Sequence, residues 1–270
     1  MRPAPLISKM PLHIQQRGQG QPLVLLHGWG FNGKIWDDTA THLAKDWTVY
    51  QVDLPGHGQS PMCAYNLPEL SKLLAENLPT QAVWVGWSLG GLMATATALN
   101  YPDSVRGLVL VGSSPRFVVG EDWQHAMQEP VLRQFAQNLQ ADIAGTLKRF
   151  LALQVKDSPT AREQLRNLQQ FLHSAGLPHP DALNAGLELL LNSDLRSELH
   201  KIQCPALLCL GAKDALVPVG VGEDCQRYWK GLRKVCIKQA AHLPFLSHPE
   251  LFLQILQGFF DEYRLSRPSR

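Results

Sequence analysis

Apolar residues in this chain fall into short, continuous blocks separated by longer stretches of mixed character. Residues 23–26, 48–52, 83–87, 107–112, 206–210 and 234–237 each read as a strand. Most carry apolar side chains at consecutive positions, the pattern of strands buried on both faces. The stretches between them read as helices, residues 92–99 (Leu-Met-Ala-Thr-Ala-Thr-Ala-Leu) among them. Alternating strands and helices predict an α/β fold: a mostly parallel, twisted sheet flanked by helices. Ligands of such sheets bind beyond the carboxyl ends of the strands.

The alternation breaks between residues 116 and 195. There Leu132, Phe135, Leu139, Ile143, Leu147 and Phe150 recur at helical spacing, as do Leu165, Leu168 and Leu172. Residues 176–180 (Gly-Leu-Pro-His-Pro) punctuate the run. The expected organisation is a sheet domain from residues 1–115 and 196–270, with residues 116–195 inserted as a helical cap.

The strand at 83–87 meets the helix at 92–99 through Gly86-Trp87-Ser88-Leu89-Gly90, a Gly-x-Ser-x-Gly turn. Between a strand and a helix, that turn strains the backbone of its central residue and projects the side chain at a helix N-terminus. Ser88 is therefore the candidate nucleophile. A serine hydroxyl needs a histidine to take its proton and an acid to orient that histidine. Of the 10 histidines, His242 follows the strand at 234–237 on a loop and comes late in the chain. Asp214 follows the strand at 206–210, which completes the order Ser, acid, His expected of this architecture. Asp53 also ends a strand, but it precedes the serine and opens a Pro-Gly turn where a carboxylate caps local N–H groups. Residues 112–115 (Gly-Ser-Ser-Pro) offer no carboxylate at the alternative position. The N–H groups of Leu89 and Trp29 are the expected oxyanion donors. His27, two residues before Trp29, suits the role of a loop organiser better than that of a proton carrier.

Bulk properties narrow the rest. A net charge of +2 gives no general case for nucleic-acid binding. No apolar run approaches the ~18 residues that cross a bilayer, and residues 1–5 lack the form of a signal peptide. The 5 cysteines (Cys63, Cys204, Cys209, Cys225, Cys236) are odd in number and lack C-x-x-C spacing, so neither a disulfide framework nor a zinc site is expected. Cys209 and Cys236 fall within predicted strands, where a thiol acts as a small hydrophobe. A cytosolic monomer is the default.

These segments resemble the α/β-hydrolase superfamily along nearly the whole chain. Residues 149–154, 184–188 and 240–249 match as well, and the more specific pieces are Gly86-Trp87-Ser88 and residues 150–154 (Phe-Leu-Ala-Leu-Gln). Through them the chain is similar to the methyl ester esterases that act on pimeloyl-acyl carrier protein in biotin synthesis. That resemblance implies a pimeloyl methyl ester as substrate, acyl carrier protein as partner, and neither metal nor organic cofactor. It also implies a substrate site made by Trp29, Ser88, Leu89, Phe150, Leu151, Ala152, Leu153, Gln154 and His242. For Phe150, Leu151 and Leu153, packing within the cap stands as the alternative to lining the acyl site. The carrier is small and acidic, and Lys148, Arg149, Arg162 and Arg166 are the candidate docking residues; an ordinary solvated face is the other reading. Gly145 departs from the family, which often has a further basic residue there, and the tail before Met10 has no counterpart. The alternative function is a general carboxylesterase or lactonase acting on small free esters.

Overall fold

The computed structural model describes residues 10–266, so the tail before Met10 lies outside the described residues. Its strands are β1 (Ile14–Arg17), β2 (Gln21–Leu26), β3 (Trp47–Val52), β4 (Ala82–Trp87), β5 (Val105–Val111), β6 (Ala206–Gly211) and β7 (Leu232–Ile237). The helices are α1 (Asp37–Leu43), α2 (Leu67–Asn77), α3 (Leu89–Asn100), α4 (Glu129–Ala141), α5 (Ile143–Gln154), α6 (Ala161–Ala175), α7 (Pro180–Asn192), α8 (Val221–Tyr228), α9 (Pro244–Ser247) and α10 (Pro249–Glu262).

The strands form one sheet in the order β1-β3-β2-β4-β5-β6-β7. Every neighbouring pair is parallel except β1 with β3. Strands β4 and β6 are buried at every position, as their unbroken apolar sequences require. Strand β1 (Ile-Gln-Gln-Arg) has no apolar block and was not expected; it exists by pairing with β3 at the sheet edge. The other edge, β7, alternates less regularly, and there Cys236 is exposed rather than buried. That corrects its expected role as a small hydrophobe: an edge strand has solvent where a central one has neighbours.

The chain runs from β2 outward to β3, then returns past β2 to β4 and continues to β7. The order therefore reverses between β2 and β4. Loops leaving those two strands diverge there and open a crevice at the carboxyl edge. Helix α3 leaves β4 at that point. All its residues from Leu89 to Ala98 are buried, so its position is fixed on every side.

Helices α4 to α7 lie between β5 and β6. The apolar periodicity from Leu132 to Phe150 predicted one run, and the structure divides it at Asp142. Asp142 leaves helical geometry (φ −152°, ψ 89°), and its side chain accepts the Gly145 N–H at 2.8 Å as the N-cap of α5. The two stems of the insert are joined, Leu195 N–H to Pro115 C=O at 3.0 Å and Arg116 to Asp194 at 2.8 Å. From these stems the insert reaches the carboxyl edge of the sheet, where α5 and α7 meet the loop after β2.

Candidate active site

Ser88 sits between β4 and α3 with φ 53° and ψ −117°. A serine at positive φ is strained by roughly 1–3 kcal/mol and persists only where its surroundings dictate it. Three constraints do so here. Its N–H donates to Val111 C=O at 2.9 Å, its own carbonyl accepts the Gly91 N–H at 2.9 Å, and the Ser113 hydroxyl donates to that same carbonyl at 2.7 Å. The turn also needs glycine at residue 90, where a Cβ would lie 2.5 Å from His27 C=O and 2.6 Å from Leu26 C=O.

His242 and Asp214 come together at the ends of β7 and β6. His242 Nδ1 lies 2.7 Å from Asp214 Oδ2, with both side chains buried. The second carboxylate oxygen accepts the N–H groups of Leu216 (2.8 Å) and Val217 (2.9 Å), which fixes its orientation. The acid therefore faces Nδ1, and Nε2 is left as the free acceptor. His242 Nε2 is buried without a partner, and Ser88 makes no hydrogen bond to it in this arrangement. Catalytic hydrogen bonds of this kind often tighten only when substrate is bound. The rival acid, Asp53, is engaged elsewhere: it accepts from Gly33 N–H (2.7 Å), Gln59 N–H (2.9 Å) and His13 Nδ1 (2.8 Å).

Gly112 joins the two halves. It follows β5 at φ +49°, and a Cβ there would stand 3.1 Å from His242 Nδ1. Glycine suits this position because its backbone is in the left-handed region, and a Cβ would crowd the His242 ring. Two further anchors hold the histidine loop: Trp87 Nε1–H donates to His242 C=O (3.0 Å), and His242 N–H donates to Gln154 C=O (3.1 Å). The second is a direct link from the end of α5 to the loop that carries His242.

Leu89 N–H and Trp29 N–H lie on the two sides of the crevice between β4 and β2. Neither is engaged by another group among the described residues. The Trp29 ring packs edge-on against Phe150 with centroids 4.8 Å apart, and its Nε1–H donates to Leu183 C=O at 2.8 Å. Gly186 on α7 approaches both Trp29 and Leu89, where a Cβ would be 2.7 Å from the indole and 3.3 Å from the leucine. Phe150, Leu151 and Gln154 are buried, and both polar atoms of the Gln154 amide lack partners. Leu153 is half-buried. Ala152 is exposed and stands apart from the others. Helical geometry accounts for that correction: two positions on from Phe150 is a turn of about 200°.

Residues 21–249 match the family model described as alpha/beta hydrolase fold. The chain is 42% identical over 249 residues to a pimeloyl-[acyl-carrier protein] methyl ester esterase from Vibrio vulnificus strain CMCP6, covering 92% of this chain and 97% of that one. This chain belongs to the α/β-hydrolase fold family, among the pimeloyl-[acyl-carrier protein] methyl ester esterases. The Vibrio cholerae protein of the same name is 43% identical, covering 93% of this chain and 98% of the other. Among solved structures, the esterase EaEST from Exiguobacterium antarcticum superposes with a TM-score of 0.83 at 24% identity, covering 93% of this chain and 95% of that one. At that identity the likeness concerns fold alone.

In this α/β-hydrolase the four basic residues expected to dock a partner lie on two adjacent helices of the insert. Lys148 and Arg149 are on α5, Arg162 and Arg166 on α6, and all are exposed. None has an acidic partner among the described residues; Arg149 donates to the Thr146 hydroxyl at 3.0 Å. Beside Lys148 a largely apolar groove of about 300 Å³ separates α5 from α6, with Leu147 and Leu151 in its wall. Leu147 also reaches the loop after β2, 3.0 Å from where a Cβ on Gly30 would stand. Sequence reasoning missed Gly112, Ser113 and the carbonyl of Gln154. Gly112 had a signal, a glycine closing an apolar strand; the other two act through backbone groups or one small hydroxyl and had none.

Proposed function

We propose that this chain hydrolyses the methyl ester of pimeloyl-acyl carrier protein through a covalent serine intermediate. The observation that carries this reading is the buried 2.7 Å contact between Asp214 and His242, with Nε2 left unpartnered beside the strained Ser88 turn. The relatives named above supply the substrate.

His242 Nε2 takes the Ser88 proton as Oγ attacks the ester carbonyl. Asp214 stabilises the imidazolium that forms. The N–H groups of Leu89 and Trp29 receive the oxyanion, each worth about 3 kcal/mol in the transition state. Collapse breaks the bond to the methoxy oxygen, which takes the proton from His242 and leaves as methanol. Water, deprotonated by His242, then attacks the acyl-serine. The second collapse returns the proton to Ser88 Oγ and frees the pimeloyl acid on its carrier, which then loses its own proton to water as the carboxylate. Phe150 and Leu151 give the acyl chain apolar surface, at about 0.8 kcal/mol per buried CH₂. The unpaired cations of α5 and α6 receive the acidic carrier, and the helical insert acts as the cap over the site.

Two substrates test this: the carrier-linked methyl ester and a short free ester. Ser88→Ala should abolish hydrolysis of both. Charge reversal at Arg162 and Arg166 should lower kcat/KM for the carrier-linked ester by at least ~10-fold, through lost electrostatic steering, and leave the free ester within about twofold. Equal loss on both substrates would remove the docking surface. Hydrolysis of the free ester alone would make the protein a general carboxylesterase.

A further inference from the structure

The inference concerns His27 and rests on the reading of Trp29 N–H as an oxyanion donor. His27 is fully buried between the ends of β2 and β3, and the proposed reaction moves no proton through it. Its Nδ1 lies 2.8 Å from Gly28 C=O, and its Nε2 lies 3.0 Å from Leu54 N–H. A backbone N–H only donates and a carbonyl only accepts. The partners therefore fix the tautomer, with the hydrogen on Nδ1 and a lone pair on Nε2.

The Gly28 carbonyl and the Trp29 N–H belong to one peptide unit. In a planar trans peptide the two groups point in opposite directions, so holding the oxygen aims the N–H. We propose that His27 is a positioning residue for the oxyanion hole: its Nδ1–H holds the Gly28–Trp29 peptide so that the Trp29 N–H faces the reacting carbonyl, and Leu54 braces the ring. The Trp29 indole is anchored separately, to Leu183 C=O and Phe150, but among the described residues the Gly28–Trp29 peptide itself has only one hydrogen bond besides that from His27. The other bond to Gly28 C=O, from Phe31 N–H, is 3.4 Å long, and Gly30 at φ +80° follows immediately. Burial lowers the His27 pKa to about 4, so the ring is neutral where the enzyme would work. His57, with its ring 5.1 Å away, packs against it from the loop after β3.

Two isosteric variants separate the ring's two bonds. In His27→Asn the amide N–H replaces Nδ1–H and keeps the bond to Gly28. In His27→Gln the longer amide reaches Leu54 and the donor to Gly28 is lost. Both are assayed on a short aryl ester and on its thionoester, whose sulfur gains little from an N–H donor. We expect His27→Gln to lower kcat on the ester ~100-fold with KM within about threefold, while the thionoester rate changes little. His27→Asn should stay within ~10-fold of the native rate. Unchanged ester turnover in His27→Gln, or parallel loss on ester and thionoester, would overturn the proposal in favour of simple packing. If His27→Gln does not fold, a folded but inactive His27→Asn overturns it as well. Ser88→Ala is run alongside: full activity in that variant defeats the nucleophile, a separate failure.

Discussion

Replacing Asp214 by asparagine changes one atom and isolates what the carboxylate does. One oxygen accepts the Leu216 and Val217 N–H groups at 2.8 and 2.9 Å, and the other faces His242 Nδ1 at 2.7 Å. In Asp214→Asn the amide oxygen retains the two backbone bonds, which leaves the NH₂ group toward Nδ1. An NH₂ only donates, so Nδ1 becomes the acceptor and the proton moves to Nε2. That tautomer cannot accept the Ser88 proton. The loss in kcat should be ~10,000-fold, the effect of a wrong tautomer in serine triads, or about 5.5 kcal/mol of transition-state stabilisation. Thermal stability should change little. Asp214→Ala should behave differently, because it strands two buried N–H groups at about 1–3 kcal/mol each and lowers the unfolding midpoint as well. Initial rates on an aryl ester, with thermal melts of the same preparations, read both quantities. An Asn variant within tenfold of the native rate, folded and with the native melting point, would refute the assigned role of Asp214.

Stability should fall with acid in a defined window. Burial lowers the pKa of His27 to about 4 and that of His57 to about 3, from an unfolded value of 6.5. The unfolded state therefore binds more protons below pH 6.5, and stability is lost as pH falls from there toward 4, by at most about 1.4 kcal/mol per pH unit for each ring. Urea unfolding across that range measures the slope, and His27→Asn should reduce it by about one proton; a flat profile in the native protein would contradict both shifts. Gly112→Ala should destabilise by roughly 1–3 kcal/mol through its positive φ and slow ester hydrolysis by displacing the His242 ring. Native kinetics in that variant would show that the loop has room the geometry denies.

Much of this fold was legible in the sequence, for definable reasons. Central strands announce themselves because burial on both faces demands apolar residues at successive positions, as in β4 and β6. The turn at Ser88 was legible because its glycines are demanded by close approach of backbone to backbone. Strand β1 was not, since its polar Ile-Gln-Gln-Arg sequence becomes a strand only through the partner it finds in β3. The division between α4 and α5 was hidden because the apolar period runs through Asp142, whose capping bond depends on local geometry. Residues 150–154 read in sequence as one block of substrate contacts, and helical periodicity separates them, turning Ala152 to solvent. The tie between His242 N–H and Gln154 C=O is a backbone bond, and no side chain advertises it.

One experiment bears on the whole mechanism. Pimeloyl-acyl carrier protein methyl ester is mixed with excess enzyme, quenched in acid within a single turnover, and analysed for methanol and for acyl groups on enzyme peptides. Methanol should appear together with a pimeloyl adduct on the peptide bearing Ser88, and Ser88→Ala should yield neither. Methanol released at the native rate by Ser88→Ala, or an adduct on another residue, would contradict the proposed chemistry.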